Sequence, residues 1–445
     1  MKLNRVSDLT KGNIIKSLLL FALPMILGNL LQQLYNITDS VIVGRFVGAQ
    51  ALAAVGAAYA LMTFLTSVII GLCMGSGSLF SAAFGANREK ERKESMWAAF
   101  WLIAVVTVIL YVVMFACTDG ILHLLQVSGD VYGLMRTYVR IVFIGLGFVF
   151  LYNYFAYAMR AVGNSVVPLV FLVIATLVNI GLDIIFVIGM GTGVAGAAWA
   201  TVAAQGIAGV GIALFGLIRM PELRVNVKEQ KLKKEIIQKV MRYSFFTCMQ
   251  QSVMNFGILM IQGLVNSFGT IIMAAFAAAV KIDTLAYMPA QEFANASSLF
   301  LSQNYSAGEK DRVKNGLKMS VLLSVLFCVI ISAVVFLFAR VFMGAFVQSG
   351  ETAVIEEGIR YLRIEGVFYW GIGVLFLLYG LYRAIGKPEM SLVLTAVSLG
   401  TRVFLAYLLA PRTGFGVLAI WWAIPVGWFL ADLTGYIYYK KKCTI

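Results

Sequence analysis

Residues Arg160–Ala200, RAVGNSVVPLVFLVIATLVNIGLDIIFVIGMGTGVAGAAWA, return in altered form at Arg383–Ala423 as RAIGKPEMSLVLTAVSLGTRVFLAYLLAPRTGFGVLAIWWA. A constant offset of 223 positions pairs Arg160-Ala-Val-Gly163 with Arg383-Ala-Ile-Gly386, and Gly191, Gly193, Val194, Trp199 and Ala200 with Gly414, Gly416, Val417, Trp422 and Ala423. Working outward, Ser78-Leu-Phe80 with Glu89-Lys90 and Arg92 returns as Ser298-Leu-Phe300 with Glu309-Lys310 and Arg312, at offset 220. Gly48 and Ala53-Ala54 return as Gly269 and Ala274-Ala275, at offset 221. Matches in one order with so small a drift mark an internal duplication that spans nearly the whole chain.

Each copy holds six apolar segments. They fall at roughly 15–43, 51–84, 95–117, 133–158, 166–190 and 194–218, then at roughly 243–267, 271–303, 317–347, 358–382, 389–410 and 414–439. Apolar residues are 61% of the 445 and charged residues 13%, which no water-soluble surface accommodates, so lipid is the solvent. Each segment is long enough to span a bilayer, and several exceed what a straight crossing needs, which implies tilt or kinks. The expected fold is therefore all-α: twelve transmembrane helices in two six-helix bundles. An even number per copy makes the repeat parallel, with a pseudo-two-fold axis along the membrane normal and a cleft between the halves. The expected domains are 1–218, a basic cytoplasmic linker at 219–242 leading into the seventh helix, and 243–445.

Lys and Arg fix the orientation, because short cytoplasmic loops carry the excess of positive charge. With the N-terminus inside, 26 of the 35 basic residues fall on the inside and seven outside: Arg45, Arg136, Arg140, Arg340, Arg360, Arg363 and Arg412. Both termini are thus expected in the cytoplasm. The formal charge of +14 reads as a topology signal and as contact with anionic lipid headgroups, with no nucleic-acid partner. The apolar stretch after the basic N-terminus has no small-residue cleavage site, so it reads as a first span and not as a signal peptide. The five cysteines lack metal-ligand spacing, and the lone His123 leaves no histidine-based metal site or triad. No Walker motif is present, and the Gly-rich run 189–196 lacks the context of a dinucleotide site. Trp97, Trp101, Trp421 and Trp422 lie near segment ends, where interfacial anchoring is the ordinary reading. No cofactor and no enzymatic activity are expected.

Ionisable residues inside spans are costly and by default mark an ion or substrate path. On the first helix Gln32, Tyr35, Asn36 and Asp39 share one face, and Pro24 upstream can bend that helix by removing a backbone hydrogen bond. On the fifth, Asn179 precedes Asp183 by one turn. Carboxylates in a low-dielectric bundle suit reversible protonation, and with amide and hydroxyl oxygens they also suit Na⁺. At offset 223 Asp39 maps to Gln262, Asp183 to Ala406 and Asn179 to Arg402, so a cation site of this kind is expected in the N-terminal lobe alone. Lys281, Asp283, Glu365 and Arg402 are secondary candidates in the second half. Lys281 and Asp283, two apart, do not face each other, and Arg402 has Glu365 or Asp432 as possible partners.

The chain resembles the multidrug and toxic compound extrusion (MATE) family, DinF-type branch. The resemblance is carried by Pro24…Gln32…Asp39 leading into Val43-Gly-Arg45, Ala51-Leu-Ala-Ala54, Arg160-Ala-Val-Gly163, Asn179-x-x-x-Asp183 followed by Gly193-Val-x-Gly196, and Lys281-Ile-Asp283. It implies antiport, in which H⁺ or Na⁺ enters while an organic, often cationic amphiphile leaves by alternating access. It also implies coupling at Asp39, Asn179, Asp183 and Thr201, with Gln32, Tyr138 and Asn153 in the surrounding polar network and Pro24 allowing the first helix to bend. NorM-type relatives carry a glutamate in the seventh helix, where this chain reads Met249-Gln250-Gln251-Ser252. The expected setting is the cell membrane, with the chain working as a monomer on small amphiphilic substrates. The rival reading is a flippase for a lipid-linked saccharide, which needs several basic side chains in the cleft; a membrane-embedded enzyme is the rival from another class.

Overall fold

The computed structural model describes residues 8–124, 127, 129–226, 232–348, 350–411 and 414–443. Arg412 of the outer set, and Lys2, Arg5, Lys228 and Lys231 of the inner set, lie outside the described residues.

The first copy opens with α1 (Ile14–Phe46), α2 (Ala49–Gly85), α3 (Glu89–Ala116) and a short α4 (Thr118–Leu124). It continues through α5 (Gly129–Ile144), α6 (Leu146–Ala161), α7 (Val166–Asp183), a π-helical turn Ile184–Gly189, and α8 (Gly193–Arg219). The second copy runs through α9 (Lys234–Asn266), α10 (Thr270–Ser306), α11 (Lys310–Phe346), α12 (Thr352–Gly366), α13 (Tyr369–Ala384), α14 (Pro388–Leu409) and α15 (Val417–Lys442). Among the described residues nine unbroken helices are long and apolar enough to cross a bilayer, and the bent pairs α5–α6 (44°) and α12–α13 (52°) bring the total to eleven. The twelfth span is α9. Its charged first turns and Gln250, Gln251, Asn255 and Gln262 lower its apolar content, but at 33 residues it equals α1, its counterpart. The stretch 219–242 holds the end of α8, a 3₁₀ turn at Pro221–Leu223 and the first turns of α9.

The duplication is visible in the backbone. Gly48 and Gly269 (φ 120° and 97°), Gly163 and Gly386 (81° and 82°), and Gly193 and Gly416 (62° and 52°) all hold the positive φ that side chains resist. The repeated glycines are therefore repeated turns. The two bends also coincide: α6 begins at Leu146 and α13 at Tyr369, again 223 positions apart. Sequence periodicity reads 133–158 and 358–382 as single helices, because neither bend is marked by a proline or a run of polar residues.

The chain divides into two compact units, Met1–Asp8 with Leu27–Cys248, and Leu9–Ile26 with Met249–Ile445. Each unit therefore contains the first part of the helix that opens the other copy. In the first unit Lys234–Cys248 of α9 packs on α2 at Gly71 and Gly75, where a Cβ would stand 2.6 Å from Cys248 Cα and 2.3 Å from the Tyr243 carbonyl oxygen. Such small-xxx-small stripes let helices approach closely in lipid. Ser76 and Ser244 share a hydrogen bond (2.7 Å), and Lys233 and Lys239 pair with Glu94 (2.7 Å) and Glu91 (2.8 Å). In the second unit Leu9 is buried. Its carbonyl accepts from Asn304 (3.2 Å) and Arg312 (3.0 Å), and Arg312 also donates to the carbonyls of Lys11 and Gly12.

Apolar side chains face outward on α3 (Val105, Val108, Ile109, Val112) and on its counterpart α11 (Leu322, Leu326, Val329, Ile330, Leu337), as lipid-facing helices require. Of the four tryptophans, Trp101 and Trp422 are exposed, whereas Trp421, read from the sequence as interfacial, lies in the core. That ring is fully buried, stacked on Phe276 (5.4 Å), edge-on to Tyr361 (4.8 Å), and donates to Glu357 (2.9 Å).

Candidate ion and substrate site

Four helices of the first unit bring the polar candidates together. Helix α1 supplies Tyr35 and Asp39, α5 supplies Tyr138, α7 supplies Asn179 and Asp183, and α8 supplies Thr201. Asp183 and Asn179 are 0% exposed and Asp39 is 6% exposed. Tyr35 Oη donates to Thr201 Oγ1 (3.1 Å), and Tyr138 stands beside Thr201 as well. Asp39 and Asp183 are within electrostatic reach of each other and of both tyrosines. Among the described residues neither carboxylate has an ion-pair partner, and Asp39 Oδ1, both oxygens of Asp183, and both Oδ1 and Nδ2 of Asn179 are buried without a hydrogen bond. A buried charge that the protein does not pair must be neutralised from outside. The donor set is carboxyl, amide and hydroxyl oxygen, which suits a proton or a hard cation such as Na⁺.

The local fold explains why this happens in one place. Helix α7 ends at Asp183 and passes into the π turn, which closes with Met190 N–H on the Ile185 carbonyl (2.8 Å). Thr192 Oγ1 caps the Phe186 carbonyl (2.7 Å), and Gly196 lies where a Cβ would meet Thr192 Oγ1 at 2.1 Å. A π turn changes the helix register at a single point and is frequent at functional sites. The counterpart α14 continues as regular helix to Leu409.

Beside the carboxyls lies a cavity of about 150 Å³, lined by Gln32 and Tyr35, by Thr66 and Ile70 of α2, by Phe148, Val149, Tyr152 and Asn153 of α6, by Leu172, Ala175 and Thr176 of α7, and by Ala204, Gln205 and Ala208 of α8. Its mixed apolar and amide lining suits an amphiphile, but it is smaller than the roughly 300 Å³ lower bound for drug-sized pockets. It must widen to admit one. Of the residues singled out from sequence, Gln32, Tyr35 and Asn153 line it. Asn36 is half-buried and is not joined to the cluster by a side-chain hydrogen bond among the described residues. Pro24 lies inside a continuous α1, in the part assigned to the second unit. Sequence reasoning missed Thr66, Tyr152, Thr176 and Gln205. The signal for two of them was helical spacing: Gln205 follows Thr201 by four residues, and Thr176 precedes Asn179 by three.

The second unit gathers its own charged groups. Asp283 on α10 and Glu365 on α12 are 1% and 3% exposed and stand against each other, with Arg402 on α14, 9% exposed, within electrostatic reach of Glu365. Tyr369 donates to Asp283 Oδ1. Lys281, two residues before Asp283, is exposed and does not join them. Mapping the first carboxyl pair through the repeat misses this second one, because its acids come from different helices.

Comparison with known proteins agrees with this architecture. The MatE family profile matches the chain twice, over residues 24–185 and 245–408, once per copy. The chain belongs to the MATE family of membrane transporters. It is 28% identical over 439 residues to a protein of Bacillus subtilis named probable multidrug resistance protein YpnP, covering 97% of this chain and 96% of that one. It is 23% identical over 447 residues to the multidrug export protein MepA of Staphylococcus aureus, covering 97% and 95%. In fold it is similar to an outward-facing multidrug resistance MATE transporter of the MOP superfamily, with a TM-score of 0.92 at 22% identity, covering 97% of this chain and 96% of the other.

Proposed function

We propose that the chain is a cation-coupled antiporter of the cell membrane that exports organic amphiphiles, frequently cationic ones, by alternating access. The coupling ion binds at Asp39, Asn179, Asp183 and Thr201, and the substrate occupies the adjoining cavity. The observation that carries this reading is the position of Tyr35. Its hydroxyl bonds to Thr201 in the carboxyl cluster, while the residue also lines the cavity. An ion that reorganises the cluster therefore moves a wall of the cavity, and linkage requires that substrate in turn change ion affinity. The likeness to proteins named for multidrug resistance and export supports the substrate class.

With both carboxyls ionised the cluster attracts a cation, and with them neutralised that attraction is lost. Exchange follows if substrate and ion favour opposite charge states of one site. A flippase for a lipid-linked saccharide needs several basic side chains free for pyrophosphate, and Arg402 lies buried within electrostatic reach of Glu365. The chain is taken to act as a monomer with both termini in the cytoplasm.

The test is binding of a fluorescent lipophilic cation, ethidium, to the purified protein in detergent. Acid or Na⁺ should release the dye from wild type, and Asp183→Asn should bind it without responding to that ion. Dye binding in Asp183→Asn with the full wild-type ion response would refute the assignment.

A further inference from the structure

We propose that the C-terminal unit carries a binding site for a lipophilic organic cation: a groove of tryptophan and phenylalanine rings, closed by the carboxylate of Asp432 and reached from the lipid. It lies apart from the carboxyl cluster and the cavity of the first unit, and it does not depend on the function proposed for them.

The groove opens where α12 bends into α13. It holds about 350 Å³, within the range of small-molecule pockets, and its walls include Phe368, Trp370 and Gly371 at the bend and Trp422, Trp428, Phe429 and Asp432 on α15. Phe368 and Trp422 meet edge to face at 5.9 Å. Asp432 Oδ2 and Trp428 Cβ both lie 3.8 Å from the place a Cβ at Gly371 would take, so carboxyl and indole sit over one patch of α13. None of the lining residues is basic.

The duplication shows that helix packing does not require these side chains. At offset 223 Gly371, Trp428, Phe429 and Asp432 correspond to Phe148, Gln205, Gly206 and Gly209. In the first copy a Cβ at Gly209 would meet the Phe148 carbonyl oxygen at 2.6 Å, so α8 closes directly on the backbone of α6. In the second copy the glycine stands on the other helix, and α15 brings an indole, a phenyl ring and a carboxyl to the same seam.

Asp432 separates this groove from an ordinary slot for acyl chains. It lies inside the span, about 22 Å along α15 from Val417 and about 12 Å before the basic end that begins at Lys440. Its Oδ1 is buried without a hydrogen bond, and among the described residues it has no ion-pair partner. A carboxylate at such depth is costly unless something neutralises it. A lipid tail would fill the groove and leave that oxygen unmatched, and a lipid headgroup stays at the level of the basic helix end. The rings narrow the class of cation. A primary ammonium brings three N–H donors that need acceptors, whereas a quaternary or delocalised cation brings none and is drawn to aromatic faces, most strongly when desolvated. Trp422, Val426, Phe429 and Leu433 are exposed on one face of α15, so the mouth of the groove meets acyl chains and the ligand arrives from the bilayer.

Fluorine NMR of the full-length protein in lipid nanodiscs, with 5-fluorotryptophan at its seven tryptophans, tests this with tetraphenylphosphonium as the probe. Trp370→Phe, Trp422→Phe and Trp428→Phe assign the three groove resonances. Tetraphenylphosphonium should shift these three saturably and leave Trp101, exposed on α3, in place. Tetraphenylborate, of the same shape and opposite charge, should not shift them. Asp432→Asn, close to isosteric, should raise the half-saturating concentration about tenfold or more, and Asp432→Glu should retain binding, which controls for misfolding. Asp183→Asn, which removes the ion response proposed for the first unit, should leave the three shifts intact, so either site fails on its own evidence. Equal half-saturation in Asp432→Asn and wild type, an equal response to tetraphenylborate, or no saturable shift would overturn the proposal. So would Trp101 shifting in step with the groove, the mark of simple partition into lipid.

Discussion

Replacing Gly75 by alanine tests the seam by which the start of α9 is held in the first unit. The added Cβ would lie 2.3 Å from the Tyr243 carbonyl oxygen, 2.6 Å from its carbon and 2.8 Å from Ser244 Cα. Carbon–oxygen contacts of this kind normally stand at about 3.3–3.6 Å, so the overlap is about 1 Å. All three atoms are backbone, so no side chain can rotate away and the first half of α9 must retreat. Overpacking of this sort costs about 1–3 kcal/mol. The retreat also strains the Ser76–Ser244 bond (2.7 Å) and the bond from Ser244 Oγ to the Leu72 carbonyl (3.1 Å), each worth about 0.6 kcal/mol in a membrane protein. Against this, alanine is the better helix former by up to about 1 kcal/mol. The net expectation is a loss of about 1–3 kcal/mol. Gly56 on the same helix is the control, since a Cβ there meets nothing within 4 Å. Gly56→Ala should be neutral or stabilising, by up to about 1 kcal/mol. The assay is the midpoint of thermal unfolding in detergent, followed by loss of the monodisperse peak. Equal midpoints for Gly75→Ala and Gly56→Ala would refute the close packing of α2 on α9.

Tyr35→Phe removes the donor to Thr201, a bond worth about 0.5–1.5 kcal/mol, and should weaken half-saturation by the coupling ion about two- to twelve-fold with the fold intact. Gln205→Leu should change the apparent affinity for dye and leave the ion response in place, because Gln205 lines the cavity without belonging to the carboxyl cluster; an altered ion response would count against that separation. Gly196→Ala should disturb the π turn through Thr192 and Phe186 and reduce transport more than stability, read as turnover against unfolding midpoint. Outside the spans, the Arg136 guanidinium beside Asp119 holds that carboxyl down to about 2, below its ordinary value. A depressed carboxyl keeps its pairing above its ordinary value and loses it as pH falls toward about 2. Asp119→Asn should therefore leave the shape of the transport–pH profile unchanged between about pH 5 and 8.

The architecture was largely legible because its strongest signals are periodic. Each of the twelve apolar segments corresponds to a span or a bent pair, and each repeated glycine turn marked by Gly48, Gly163 and Gly193 has its backbone reason in a positive φ. What the sequence concealed are features that leave hydropathy unchanged. The breaks at Gly145 and Phe368 carry no proline or run of polar residues, and the π turn after Asp183 is written in Ile, Phe and Val like any span. Trp421 reads as an interfacial residue by its place near a segment end, yet the adjacent Trp422 takes the exposed side and Trp421 the core. The meeting of Tyr35 with Thr201 was not readable from local spacing, since 166 residues separate them. The Asp283–Glu365 pair was hidden for a related reason: a fixed offset compares equivalent positions, and these acids come from non-equivalent ones.

The central claim is that ion binding at Asp39 and Asp183 drives export. Its most direct test is ethidium efflux from proteoliposomes under an imposed pH gradient or an imposed Na⁺ gradient, comparing wild type with Asp183→Asn. The account predicts that one gradient drives efflux in wild type, thereby naming the ion, and that Asp183→Asn binds dye but no longer responds to that gradient. Efflux of equal rate and equal gradient dependence in Asp183→Asn would contradict it.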